Sequence, residues 1–191
     1  QDQAIRHLEQ ALTITTAPRD RAPLLDRAAI AATAAATADA ERYAQAAIDA
    51  YREIGDVEAE VAATVRLGRV LLDASEVTRA IGLLEAIIPR AETLENPDTL
   101  ALALANLARG HMRNGAPARA VETADRSLAI AELRNRIGTV AEAMVNKGAG
   151  LSQLGRRREA IALHAMALEL ATGLGDRPFE LRARNNYASV I

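Results

Sequence analysis

The chain has 191 residues, half of them hydrophobic, with a formal net charge of -2 and no cysteine. That length can bury a sizeable core, and the missing cysteine excludes disulfides, thiolate metal sites and cysteine nucleophiles. The near-neutral charge has no long basic block to grip nucleic acid, and no apolar run reaches the roughly 18 residues of a membrane span.

Alanine dominates the apolar set, and aromatics are only 2%. Ala, Leu, Glu and Arg favour helices, whereas strands favour β-branched and aromatic residues. The predicted elements are therefore all α-helical. Within residues 1–19 a leading helix carries Ala4-Ile5 and Ala11-Leu12. Residues 21–55 read as a hairpin with a turn at Ala35, a cap at Asp39 for a helix from Ala40, and a stop at Ile54-Gly55 before the capping Asp56. Residues 56–95 form a second hairpin turning at Ser75. The third, 96–135, opens on Asn96-Pro97, a cap followed by proline in the first turn, and turns at Gly115-Ala116-Pro117. The fourth, 136–175, turns at Gly155 and stops at Leu174-Gly175 before Asp176. A trailing helix, 176–191, carries Asn186-Tyr187-Ala188.

One register runs through these elements. Ala40, Ala80, Ala120 and Ala160 recur every 40 residues. Seven residues after each stand Ala47-Ile48, Ile87-Ile88, Ser127-Leu128 and Ala167-Leu168; twelve residues before each stand Ala28, Gly68, Ala108 and Gly148. The small residues predict close helix–helix contacts that an added side chain would overpack. A further slot holds Asp26, Arg66, Asn106, Asn146 and Asn186. Breakers arriving about every 20 residues suit hairpins, and no heptad runs through them as a coiled coil needs.

Asn106-Leu107-Ala108 with His111, and Asn146-Lys147-Gly148 with Leu151, resemble the first helix of the tetratricopeptide repeat (TPR). Ala120…Ser127-Leu128 and Ala160…Ala167-Leu168 resemble its second helix. The resemblance implies a right-handed α-solenoid of about five antiparallel hairpins, ten helices in all, forming a single repeat domain over 1–191. The usual period is 34 residues, so six extra residues lengthen each helix by about 4.5 Å. The early aromatic of the family is replaced by Leu24, Thr64, Leu104 and Met144. Such long repeats, with Gly-Asp between hairpins, resemble the helical regions of LuxR/MalT-type regulators and class III nucleotide cyclases. Both ends lie within a repeat and neither reads as a polar cap, so a segment of a larger protein is expected.

Chemistry is sparse. His7, His111 and His164 have no acidic or histidine neighbour on their own helix face and are expected to be half-buried or at the surface, in structural roles. Gly148-Ala149-Gly150 lies within a helix and is read as close packing. Acidic residues are expected on solvent faces, and Arg156-Arg157-Arg158 in a solvated turn. No nucleophile elbow, phosphate loop or paired carboxylate occurs. No enzyme activity, catalytic residue, cofactor or metal is expected.

In the family, first helices line an inner groove. The resemblance places Arg69, Leu72 and Asp73 there, then Arg109, Met112 and Arg113, then Glu142 and Gln153, then Arg182 and Asn185. Arginines beside Leu72 and Met112 suit a protein or peptide with an acidic group, unless they pair with Asp73 and Glu142. The carboxylate clamp of chaperone-binding members is not reproduced, because its slots hold Val65, Ala105, Val145 and Ala149. The expected function is a cytoplasmic interaction scaffold or sensory segment of a bacterial signalling protein, with no direct contact to nucleic acid or membrane. The alternative is self-association, such as a homodimer, through exposed end helices.

Overall fold

The computed structural model describes residues 2–191; Gln1, the first residue of the expected leading segment, lies outside the described residues. Among the described residues there are ten helices and no strand: α1 (Asp2–Ile14), α2 (Pro18–Ala34), α3 (Ala40–Ile54), α4 (Val57–Asp73), α5 (Val77–Ala91), α6 (Asp98–Arg113), α7 (Pro117–Leu133), α8 (Ile137–Gln153), α9 (Arg157–Leu174) and α10 (Arg177–Ala188). The all-α, ten-helix expectation holds. The even-numbered helices occupy the first-helix slots of the register, and the odd-numbered ones the second-helix slots. Contacts divide the chain into two compact units, residues 1–83 and 84–191, with the division falling inside α5.

In the first unit α2 packs on α1 and α3, and α3 packs on α4. Ala28, Ala32, Ala44 and Ala47 are buried there, and such small side chains let helix axes approach. The Arg21 guanidinium donates to the carbonyls of Leu12 (2.7 Å) and Thr15 (2.8 Å), satisfying groups at the end of α1. Gly55 ends α3 at φ 73°, a left-handed conformation that a side chain would strain. The Asp56 N–H donates back to the Tyr51 carbonyl at 3.0 Å, closing the helix end. The Asp56 carboxylate then accepts from the Ala59 N–H at 3.0 Å and starts α4.

One local expectation needs correction. Asp39 precedes α3 but its side chain makes no capping bond; its carboxylate instead pairs with Arg42 at 3.0 Å. Ala35 lies in the turn after α2, as expected, with right-handed backbone, and the left-handed residue of that turn is Ala36 (φ 52°).

In the second unit α7 packs on α6 and α8, α9 packs on α8 and α10, and α8 also touches α6 and α10. Gly115 turns left-handed before Pro117, which takes the first turn of α7. Gly175 and Asp176 repeat the stop-and-cap pair, with Asp176 accepting from the Phe179 N–H at 3.2 Å. Pro97 falls one position before the helix rather than in its first turn, while the Asn96 carboxamide oxygen accepts from the Asp98 N–H at 3.1 Å.

The register slots have direct packing meanings. A Cβ at Gly148 would stand 2.9 Å from the His164 ring on α9, and a Cβ at Gly150 would stand 3.0 Å from the Pro117 carbonyl and Val121 on α7. Gly148 and Gly150 thus admit the second helices of two successive hairpins. The polar slot joins successive first helices. In the first unit Arg66 makes two 2.7 Å bonds to Asp26, 40 residues earlier; in the second the buried Asn146 carboxamide donates to the Ala105 carbonyl at 3.0 Å.

Acidic residues are not all on solvent faces. Glu60 and Glu142 are buried, and Glu60 is neutralised by Arg52 at 2.9 Å. His111 and His164 are fully buried, not half-buried or at the surface, while His7 is exposed. Desolvation pushes both buried imidazoles below the ordinary histidine range. Arg157, expected in a solvated run, donates to the carbonyls of Val190 (2.8 Å) and Ile191 (2.7 Å).

Candidate functional site

A helix with a 3.6-residue repeat brings residues at intervals of three, four and seven onto one face. On α6 that spacing aligns Ala105, Arg109, Met112 and Arg113; on α8 it aligns Val145, Ala149, Ser152 and Gln153. Ala105 and Val145 are buried. Toward the helix C-termini the face opens: Arg109, Met112, Ala149 and Ser152 are half-buried, and Arg113 and Gln153 are exposed. The Gln153 carboxamide approaches the Met112 sulfur at 3.6 Å and joins the two helices across the face.

At the other end of α8 the chemistry differs. Glu142 is buried and accepts from the Arg182 guanidinium of α10 at 3.2 Å. Arg182 also stacks over the Phe179 ring, 4.9 Å from its centroid, a cation–π contact. The pair therefore fastens α8 to α10. Asn185, one turn beyond Arg182, is exposed. The second unit thus brings together Arg109, Met112, Arg113 and Gln153 as accessible groups and keeps Glu142 and Arg182 as an internal tie.

In the first unit, α4 carries the remaining candidates. Leu72 is completely buried and offers no surface. Arg69 and Asp73 are both partly exposed and lie 3.9 Å apart, one helical turn from each other. Arg69, Arg109 and Arg113 each engage a group within the protein, so none stands as an unpaired cation.

Other buried polar groups serve packing. Ser127 donates to the Ala101 carbonyl at 2.7 Å. His111 lies 4.0 Å from Glu85, which Arg119 holds at 2.7 Å. No group of three or more His, Asp or Glu able to hold a metal ion occurs among the described residues. No helix among them is long and apolar enough to cross a membrane. Sequence reasoning missed Leu181, a large apolar residue 59% exposed on α10. The signal was present in the register, which aligns it with Val61, Ala101 and Ala141.

Residues 143–178, from α8 into α10, match the family model of the tetratricopeptide repeat. A solved structure of a Rap protein complexed with Competence and Sporulation Factor is similar, at 19% identity and a TM-score of 0.79 over 94% of this chain and 51% of that one. This chain therefore spans about half the length of that protein. A Podosopora anserina protein with nearly identical TPR-like repeats of kinesin light chain type superimposes with a TM-score of 0.66 at 22% identity, over 91% of this chain and 87% of that one. No curated protein sequence is a significant match. The matched residues and the structural likenesses together give the fold as a TPR-like helical repeat.

Proposed function

We propose that this chain is a protein-interaction scaffold that binds a peptide or protein segment on the first-helix face of its second unit. The supporting observation is the accessible set Arg109, Met112, Arg113 and Gln153 on the adjacent helices α6 and α8, beside an otherwise packed interior. Met112 offers a polarizable apolar anchor, and the two arginines offer forked donors to a carboxylate. An acidic ligand group would exchange with their present internal partners, so affinity would come from apolar burial plus carboxylate pairing. On α4, Arg69 beside Asp73 offers the same chemistry in the first unit. The likeness to a Rap protein complexed with a factor supports a binding role. The sequence resemblance to LuxR/MalT-type regulators and class III cyclases supports a sensory segment of a signalling protein.

The test is selection from a displayed random-peptide library, followed by affinity measurement on Arg109→Glu/Arg113→Glu. Selected peptides should carry an acidic residue near an apolar one and lose at least about tenfold in affinity, the worth of one charge-assisted contact. Undiminished affinity of every selected peptide for the variant would place recognition elsewhere.

A further inference from the structure

We propose that the contact between α8 and α9 around His164 is an acid-opened latch that loosens the groove edge at Gln153 and so releases a bound peptide. Release of a ligand rests on the peptide groove of α6 and α8; the opening of the contact does not. His164 of α9 is 1% exposed and packs against Gly148 of α8. An added Cβ at Gly148 would stand 2.9 Å from the ring, so the contact has no spare volume. Among the described residues the Nδ1 atom of His164 has no hydrogen-bond partner. Packing alone does not call for this residue, because Ala44, Leu84 and Ala124 fill the same slot elsewhere in the chain.

A neutral imidazole carries one N–H and can leave Nδ1 as a bare acceptor. An imidazolium carries N–H on both nitrogens, and a buried charge without partners is far costlier than a buried neutral ring. The charged groups of the packed helices are engaged elsewhere or turned to solvent. On α8, Lys147 holds Asp125 of α7 at 2.5 Å, and Glu142 holds Arg182 of α10. On α9, Glu159 binds Arg156, and Arg157 binds the Val190 and Ile191 carbonyls. On α10, Glu180 binds Arg184, and Tyr187 is half-buried. Arg158 and Glu169 of α9 and Arg177 of α10 are exposed. Burial alone depresses the His164 pKa, with no charge among the described residues offsetting it.

Packing decides which part of α9 gives way. Ala167 and Ala171, one and two turns after His164, lie in the core with Met144 of α8 and with Phe179 and Ala183 of α10. Between Arg157 and His164 only Ala160 is buried. The first half of α9 is therefore the half that swings when the ring takes a proton. It follows α8 through a three-residue turn, 154–156, with Gly155 at φ 78°. Gln153, the last residue of α8, is the root of that turn and also reaches the Met112 sulfur at 3.6 Å. Asn146 meanwhile holds the middle of α8 to the Ala105 carbonyl of α6 at 3.0 Å, so the displacement falls on the helix end. In the open contact the ring titrates near the ordinary value of about 6.5. Each pH unit below that raises the ratio of open to closed contact by up to about tenfold.

The experiment is a series from about pH 7.5 to about 5.5, above the range where a peptide's carboxylates protonate. It compares the purified 191-residue chain with His164→Leu and His164→Ala. Both replacements occur in this slot in other repeats, and a cooperative melt confirms that each variant folds. In the ligand-free chain the Met112 and Gln153 amide shifts should titrate together with the His164 ring, and should lie flat in the variants. Affinity for a displayed-library peptide that Arg109→Glu/Arg113→Glu weakens should fall at least about threefold across the series in the original chain. The variants should hold that affinity nearly constant. His7 and His111 remain in both variants, so an equal loss of affinity with and without His164 would overturn the latch, as would amide shifts that do not follow the ring. The amide titration uses no ligand. It therefore decides the opening even if every peptide ignores Arg109→Glu/Arg113→Glu, the result that fails the groove itself.

Discussion

A methyl group at Gly148 would meet the His164 ring at 2.9 Å, and that ring is fully buried. Two effects then compete in Gly148→Ala. Alanine gains about 1 kcal/mol of helix propensity over glycine, while overpacking a filled core contact costs about 1–3 kcal/mol. The variant should be destabilised in urea unfolding. In a His164→Ala background, where the ring is gone, the same substitution should be stabilising. Loss of stability in both backgrounds would mean that the ring is not what the glycine accommodates. The need for a small residue at this slot was legible in the sequence as Ala28, Gly68, Ala108 and Gly148. The imidazole opposite it was not, because the second-helix slot holds Ala44, Leu84, Ala124 and His164 and so fixes no size. Depth was equally hidden: periodicity gives a residue's face, so Leu72 shared a face with Arg69 while being fully buried.

Helix ends follow local chemistry, and this explains which boundaries the sequence disclosed. Gly55-Asp56 and Gly175-Asp176 carry both the left-handed stop and the capping carboxylate, and both act as read. Asn135 takes the same left-handed position with φ 52° without a glycine to announce it, although asparagine tolerates that conformation better than most residues. Asp39 failed as a cap because its backbone is already helical, with φ -80° and ψ -8°, and because Arg42 claims its carboxylate. Contacts between elements were less legible. Asp26 and Arg66 were visible as departures from an Asn slot, but their pairing needed the packed helices to bring one slot against the next. That pair, with side chains 17% and 29% exposed, should contribute about 1.5–3 kcal/mol as a charge-assisted contact. Arg66→Asp alone should be strongly destabilising, since it sets two carboxylates together. Adding Asp26→Arg should restore most of the loss, as read by thermal melts of the single and double variants. No recovery in the double variant would show that the slot is not a pairwise contact.

For the molecule as a whole, two histidines couple stability to pH. His111 and His164 both have imidazole pKa values pushed down, first by desolvation and, for His111, next by Arg119. In the unfolded chain they titrate near the ordinary value of about 6.5. The unfolded state therefore binds more protons below that pH, and stability present above about pH 6.5 is lost as pH falls through and below it. Asp98 and Glu159, held low by Arg136 and Arg156, act only in the carboxylate range further down. Urea unfolding should show falling stability between about pH 7 and 5, with a shallower slope in His164→Gln; an equal slope in that variant would remove His164 from the account. The central claim concerns where this scaffold binds. Its most direct test is amide chemical-shift mapping of a selected peptide on the purified chain. The account predicts perturbations centred on Arg109, Met112, Arg113 and Gln153 of α6 and α8. Perturbations confined to the outward residues of α7 and α9, such as Arg126 and Met166, would contradict it.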